Sequence, residues 1–309
     1  MKRSVPAFAL ALSLASLTAP AAPLAYVASD GNDARGRCTL AAPCRTFQAG
    51  HDAVDAGGQV IALDTADYGP VTLSKSVSLV GGAGATAGIN VSAGNGVTIS
   101  SAAIDVVLRN VSITGTGGSS GIVMSAGRSL TVEDCVVAGF SGDGIRVQAA
   151  SAVSILNTVT RANGGHGAYV VASRVNVASS RFMANGGSGL SMEGAGAIAV
   201  NAAVSDSLAS GTADRGFSAR AVTNGTTVAV ARSTAANNGG AGFANELVGG
   251  AGPIARMSVG SSLSSRNGVG FFNTVAGLIS FSQLISVGNN QVVFNSVDID
   301  GIITAGAPL

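Results

Sequence analysis

The sequence contains no tryptophan, and aromatic residues make up only 4% of its 309 positions. Aromatic shelves of the kind that grip sugar rings are therefore scarce, with Tyr26, Tyr68 and Tyr169 the only tyrosines. Charge is thin as well, at 11% of residues, and Lys75 is the sole lysine after Lys2. The net charge is +1, with basic and acidic residues nearly balanced at 17 and 16. Such a surface carries no electrostatic footprint for nucleic acid or for an anionic membrane. Disorder is excluded from the other side, because 47% of the residues are hydrophobic.

Only three cysteines occur. Cys38 and Cys44 lie close together in a loop bearing Gly and Pro, and outside the cytoplasm such a pair is expected to form a disulfide. Cys135 falls at a small, inward-facing strand position and reads as a core thiol. Two cysteines without nearby histidines do not make a zinc ligand set, so no metal site and no cofactor is expected.

Glycine is abundant instead, at 44 residues. Many tight turns around a thin core of small aliphatics suit a stacked repeat fold. The first residues have the form of a signal peptide: Lys2 and Arg3, an apolar stretch from Phe8 to Leu17, then Ala19-Pro20-Ala21. The apolar run is short for a membrane span, and no second one follows. Residues 1–22 are therefore expected to be removed on export, leaving no membrane span and placing the chain in the periplasm or outside the cell.

A repeat dominates the remainder. Gly121-Ile122-Val123-Met124, Gly144-Ile145-Arg146-Val147, Gly167-Ala168-Tyr169-Val170 and Gly189-Leu190-Ser191-Met192 follow at steps of 23, 23 and 22 residues. Gly216-Phe217, Gly242-Phe243 and Gly270-Phe271 continue the series. A second strand type keeps phase with it: Leu130/Val132, Val153/Ile155, Val175/Val177, Ile198/Val200, Val228/Val230, Met257/Val259 and Ile279/Phe281. Alternate residues are apolar in each, the period of a strand. A mostly small position follows three residues later, at Cys135, Thr158, Ser180, Ala203, Ser233 and Ser262. Asn163, Asn185, Asn238, Asn267 and Asn289 share one further offset, which predicts a ladder of stacked amides.

A coil of about 22 residues cannot bury its own apolar face and must stack on its neighbours. The expected fold is all-β: a single parallel β-helix, or solenoid, over 59–309, preceded by a cap segment at 23–58. Thr46 to Val54 reads as a short capping helix with Thr46 as N-cap and Phe47, Gly50, His51 and Val54 on one face. The phased strands and the Asn column resemble the right-handed parallel β-helix proteins of the pectin-lyase-like superfamily. The stretch from Tyr26 through Pro43-Cys44-Arg45-Thr46-Phe47 to Tyr68-Gly69-Pro70-Val71 is similar to the N-terminal part of exported bacterial members without assigned activity. The superfamily includes pectate lyases, polygalacturonases, epimerases and non-catalytic surface proteins, so the resemblance implies a fold and not one activity.

Polygalacturonase-like members carry a paired Asp and a Gly-His-Gly on successive coils. Here Gly165-His166-Gly167 follows Gly142-Asp143-Gly144 by one coil, making Asp143 a candidate general acid with His166 beside it. Asp143 is single, however, and no Arg-x-Lys follows, whereas glycoside hydrolysis requires two carboxyl groups. Lyase chemistry, the one setting in which Ca²⁺ is expected, needs several clustered oxygen ligands. Asp134, Asn157 and Ser179 share an offset, but only the first is charged. In the later coils the steps from Val200 to Val230 and to Val259 lengthen, with the extra residues placed at Ser210 to Arg215, Val222 to Thr227 and Leu247 to Ile254. Asp214, Arg215, Arg220 and Glu246 lie in or beside those loops as candidate ligand-binding residues. Tyr169 is expected to stand outward beside Arg146. The function expected is that of a non-catalytic secreted or cell-surface protein presenting a polar face to a polysaccharide or protein partner. A polysaccharide hydrolase or lyase and an adhesin are the alternatives.

Overall fold

Successive short strands lie on different sides of the coil, so each finds its partner one coil away. The computed structural model describes residues 22–248, 252–274 and 281–306; the expected signal segment lies outside them but for Ala22. Every strand pairing is parallel, between strands one coil apart. The first-type strands run in register through Ile122, Ile145, Ala168, Leu190, Phe217, Phe243 and Phe271. Each coil adds a second strand, as in Val153↔Val175, and a short third one such as Val159–Arg161, which pairs with Arg181–Met183. The chain is a parallel β-helix with one continuous core along its axis.

Gly opens the first-type strands because the coils approach too closely there for a side chain. A Cβ on Gly144, Gly167, Gly189 or Gly216 would meet the carbonyl oxygen of the next such glycine at 2.7, 2.6, 2.7 and 2.7 Å. The inward position behind it is filled by Phe217, Phe243 and Phe271. Their rings follow one another at 5.4 and 5.5 Å between centroids, stacked and then edge-on.

The turns hold two polar ladders inside the structure. Cys135, Thr158, Ser180, Ser207 and Ser233 each donate their backbone N–H to the side-chain oxygen one coil on, at 3.4, 3.2, 3.2, 3.2 and 3.1 Å. The amide ladder runs from Asn163 to Asn185 at 3.0 Å, and from Asn238 through Asn267 to Asn295 at 2.9 and 3.0 Å. Thr212 holds the intervening rung, donating its hydroxyl to Asn238 at 2.8 Å. Burial excludes water at both columns, so the stacked side chains must satisfy one another and the backbone.

Three expectations of register are corrected. Val175 and Val177 pair with Ala202 and Val204, not with Ile198 and Val200, and Ser207 rather than Ala203 takes the small position. A turn at Ala195–Ile198 supplies the extra residues, so the insertion falls there and not at Ser210 to Arg215; Met183 aligns with Ser210 and Leu190 with Phe217, equal spacings. Met257 pairs with Leu284, which moves the last second-type strand past Phe281; Ile279 lies outside the described residues. Asn289 consequently leaves the ladder for a left-handed turn position at φ 51°, and Asn295 replaces it.

At the N-terminal end, β1 (Ala22–Val27) pairs in parallel with β2 (Val54–Ala62), so the sheet begins within the expected cap segment. Between them α1 (Phe47–Ala53) lies across the first coil, with Thr46 as N-cap and Phe47, Gly50 and His51 buried. A disulfide joins Cys38 to Cys44 in the preceding loop.

Candidate functional site

Outward positions of the first-type strands, together with the turns before them, gather most of the charged side chains singled out in the sequence. Asp143 sits in the turn before Ile145 and is almost wholly buried. Its Oδ2 accepts from Arg146 at 2.8 Å and its Oδ1 from the His166 backbone N–H at 2.7 Å. The His166 ring does not bond to Asp143; its Nδ1 accepts the Ser188 N–H at 3.0 Å. The two are neighbours, but the aspartate is engaged by an arginine and a backbone amide instead of by the imidazole.

Arg146 and Tyr169 face each other directly across one coil. The guanidinium lies 5.1 Å from the ring centroid, and the His166 ring stacks on the tyrosine at 5.8 Å between centroids. The Tyr169 hydroxyl donates to Glu193 at 2.9 Å. Burial, and then this bond to a carboxylate, push the Tyr169 phenol up to about 12.

From Glu193 the network continues along one column. Glu193, Arg220 and Glu246 occupy the same outward position on three successive coils. Arg220 bonds Glu193 at 2.6 Å and lies 3.2 Å from Glu246 through its Nε. Arg215 closes the far side, bridging Asp214 at 2.6 Å and Glu246. Asp214 in turn accepts from Ser188 at 2.9 Å, next to His166. The candidates that the sequence placed in separate groups, Asp143 with His166, Arg146 with Tyr169, and Asp214 with Arg215, Arg220 and Glu246, thus form one connected polar surface. Glu193 is the link that sequence reasoning missed. Its signal was there: Glu193, Arg220 and Glu246 each lie three residues after the inward Leu190, Phe217 or Phe243.

Two other places gather polar side chains. Asp134, Asn157 and Ser179 all stand at left-handed turn positions, φ 54, 44 and 52°, where Asp and Asn are at ease. Asn157 donates its amide to Asp134 at 2.6 Å, so the column is a hydrogen-bonded turn and not an oxygen cage for Ca²⁺. Among the described residues no three His, Cys, Asp or Glu side chains gather as a metal site. A groove of about 670 Å³ crosses the same row of turns around the Asp206–Arg232 ion pair. Its titratable groups are solvent-exposed, and none of the residues of the polar face lines it. Cys135 is a buried thiol pushed up to about 12 by desolvation, which removes it as a nucleophile.

The fold is shared with proteins of known structure. A pectate lyase superposes with a TM-score of 0.65 at 18% identity, covering 85% of this chain and 74% of its own. The A-module of a mannuronan C-5 epimerase from Azotobacter vinelandii does so at 0.50 and 14%, covering 93% and 89%. No curated protein matches the sequence itself. The sequence model of the right-handed β-helix region matches residues 87–249, more than half of the chain. With the parallel coils, the Gly column and the turn ladders already in view, that match settles the architecture: this chain belongs to the right-handed parallel β-helix family.

Proposed function

We propose that the polar face running from Asp143 to Glu246 binds a glycan and holds it without cleaving it, in a protein exported from the cytoplasm. One observation carries this reading: each of the four carboxylates of the face has an arginine against it. Asp143 is held by Arg146, Glu193 by Arg220 and Tyr169, Asp214 by Arg215 and Ser188, and Glu246 by Arg215 through Oε1, its Oε2 lying 3.2 Å from Arg220 Nε without a hydrogen bond. Cleavage of a glycosidic bond asks for one protonated carboxyl and a second free to attack or to activate water. A carboxylate oxygen hydrogen-bonded to an arginine has in use the lone pairs that either role would need. Alternating donors and acceptors suit sugar hydroxyls, and the Tyr169 ring offers the face one aromatic contact. The similar structures are named for pectate and mannuronan, which sets the first glycans to try.

A catalytic alternative rests on Glu193 and Glu246, two carboxylates brought together on the single guanidinium of Arg220. Both readings meet the same experiment. Purified protein is run through gels containing polygalacturonate, alginate or a neutral glycan, and parallel incubations are followed for reducing ends and unsaturated uronate, with and without Ca²⁺. Retardation without product, lost in Glu193→Gln and Arg220→Ala, is the expected result. Turnover abolished by Asp143→Asn or Glu246→Gln would make the protein an enzyme.

A further inference from the structure

The outward column of the first-type strands reads Arg146, Tyr169, Ser191, Ser218 and Ala244 on successive coils. Outward positions on a solenoid normally meet water, yet Ser191, Ser218 and Ala244 are fully buried. The polar network borders them on the same outward face, two residues further along each strand. The Tyr169–Glu193 contact closes over one end, and Arg215 reaches from its turn across the strands to Glu246 on the next coil. Beneath that roof the Ser191 and Ser218 hydroxyls have no hydrogen-bond partner. Thr160 is the other buried hydroxyl without one, but it alternates inward between the outward Val159 and Arg161, so it faces the core.

A buried hydroxyl without a partner costs stability, and alanine would remove the cost. Nothing in the packing demands the oxygen, since Ala244 fills the same position one coil on. Two such hydroxyls stand in register on adjacent coils, about 4.8 Å apart along the axis. That step is comparable with the length of one pyranose ring. We propose that Ser191 and Ser218 form the floor of a trough for a saccharide chain lying along the helix axis, with Arg215 and Glu246 as a roof that parts when the chain enters. The inference rests on the glycan-binding reading and specifies where the chain lies. The roof opens from the side of Arg215, which is more than a quarter exposed; Glu246 is buried and takes replacement donors from the incoming sugar hydroxyls. Once the roof opens, sugar hydroxyls supply the partners that the two serines lack.

The test is calorimetric titration of the whole chain with hexasaccharides of galacturonate and of mannuronate. The double variant Ser191→Ala/Ser218→Ala is expected to bind about tenfold more weakly, two hydrogen bonds being lost. Its melting temperature is expected to stay the same or rise. Wild-type affinity in the double variant, or a lower melting temperature, would overturn the trough. If Glu193→Gln and Arg220→Ala weaken binding while the serine variant does not, the trough alone fails. If the wild-type chain binds neither hexasaccharide, the trough fails together with the glycan reading.

Discussion

Tyr169 shows what the site does to a single group. Its phenol rises from 10 to about 12 because burial disfavours the ionised form, and because ionisation would break the bond to Glu193 and place a second negative charge beside it. The folded state therefore holds the phenolic proton more tightly than the unfolded chain. This stabilisation is complete below pH 10 and is lost as pH climbs from 10 towards 12. Absorbance of tyrosinate against pH should show a late transition near 12 that disappears in Tyr169→Phe. In Glu193→Gln the same transition should move down while remaining above 10, since desolvation persists. A Tyr169 titrating at 10 in the wild type would mean that the phenol is neither buried nor bonded to Glu193. The ladder side chains act differently, through satisfaction rather than charge. Replacing Asn238 with Leu would leave the Thr212 backbone N–H without its acceptor and the Ala209 carbonyl without its donor in a dry turn. A loss of about 1–3 kcal/mol in denaturant unfolding is expected, more than for most single surface changes.

At the scale of elements, α1 and the phenylalanine column are the parts with the least slack. A Cβ on Gly50 would lie 2.5 Å from Val60 Cγ1 and 3.1 Å from Val27 Cγ1, so the helix rests directly on β1 and β2. Gly50→Ala should cost about 1–3 kcal/mol, despite alanine's better helix propensity. Phe243 packs between Phe217 and Phe271, and Phe243→Ala should cost about 3–5 kcal/mol by the same measurement. These elements were legible in the sequence, because α1 has a capping threonine and an apolar face, and because each phenylalanine follows a glycine at a fixed offset. The register of the neighbouring strands was less so. Ile198/Val200 imitates the apolar alternation of a second-type strand but sits in and just after an inserted turn, while the true partners, Ala202 and Val204, begin with a small residue that carries little signal. Ser207 and Thr212 were hidden for the same reason: once the register slips by four residues, the rungs fall at unremarkable positions. The site was half visible. Asp143, Arg146, His166, Tyr169, Asp214, Arg215, Arg220 and Glu246 stand out as rare charged or aromatic residues in a poor background. Their union through Glu193 depends on side-chain directions that only the stacked coils define.

At the scale of the whole molecule, stability is carried by interfaces between adjacent coils, so a defect is felt locally before it is felt globally. The two ends of the described stack differ. The first coil is covered by α1 with Phe47 buried against it, whereas Phe294, Ile299 and Ile302 on the last coil are 80, 54 and 68% exposed. An uncovered strand edge frays at little cost, because its amides already face water and its side chains have neighbours on one side only. Hydrogen exchange should therefore be fastest among the strand amides of 281–306, and slowest through the central coils that hold the amide ladder and the Phe column. The gradient should run one way along the axis, since α1 protects the other end. Gly50→Ala provides the control: by lifting α1 off the first coil it should raise exchange in β1 and β2 without altering the rate at 281–306. Uniform exchange along the stack would mean that the coils unfold as one cooperative unit. In that case the polar face from Asp143 to Glu246 would be held rigid by the whole solenoid and not by its neighbouring coils alone.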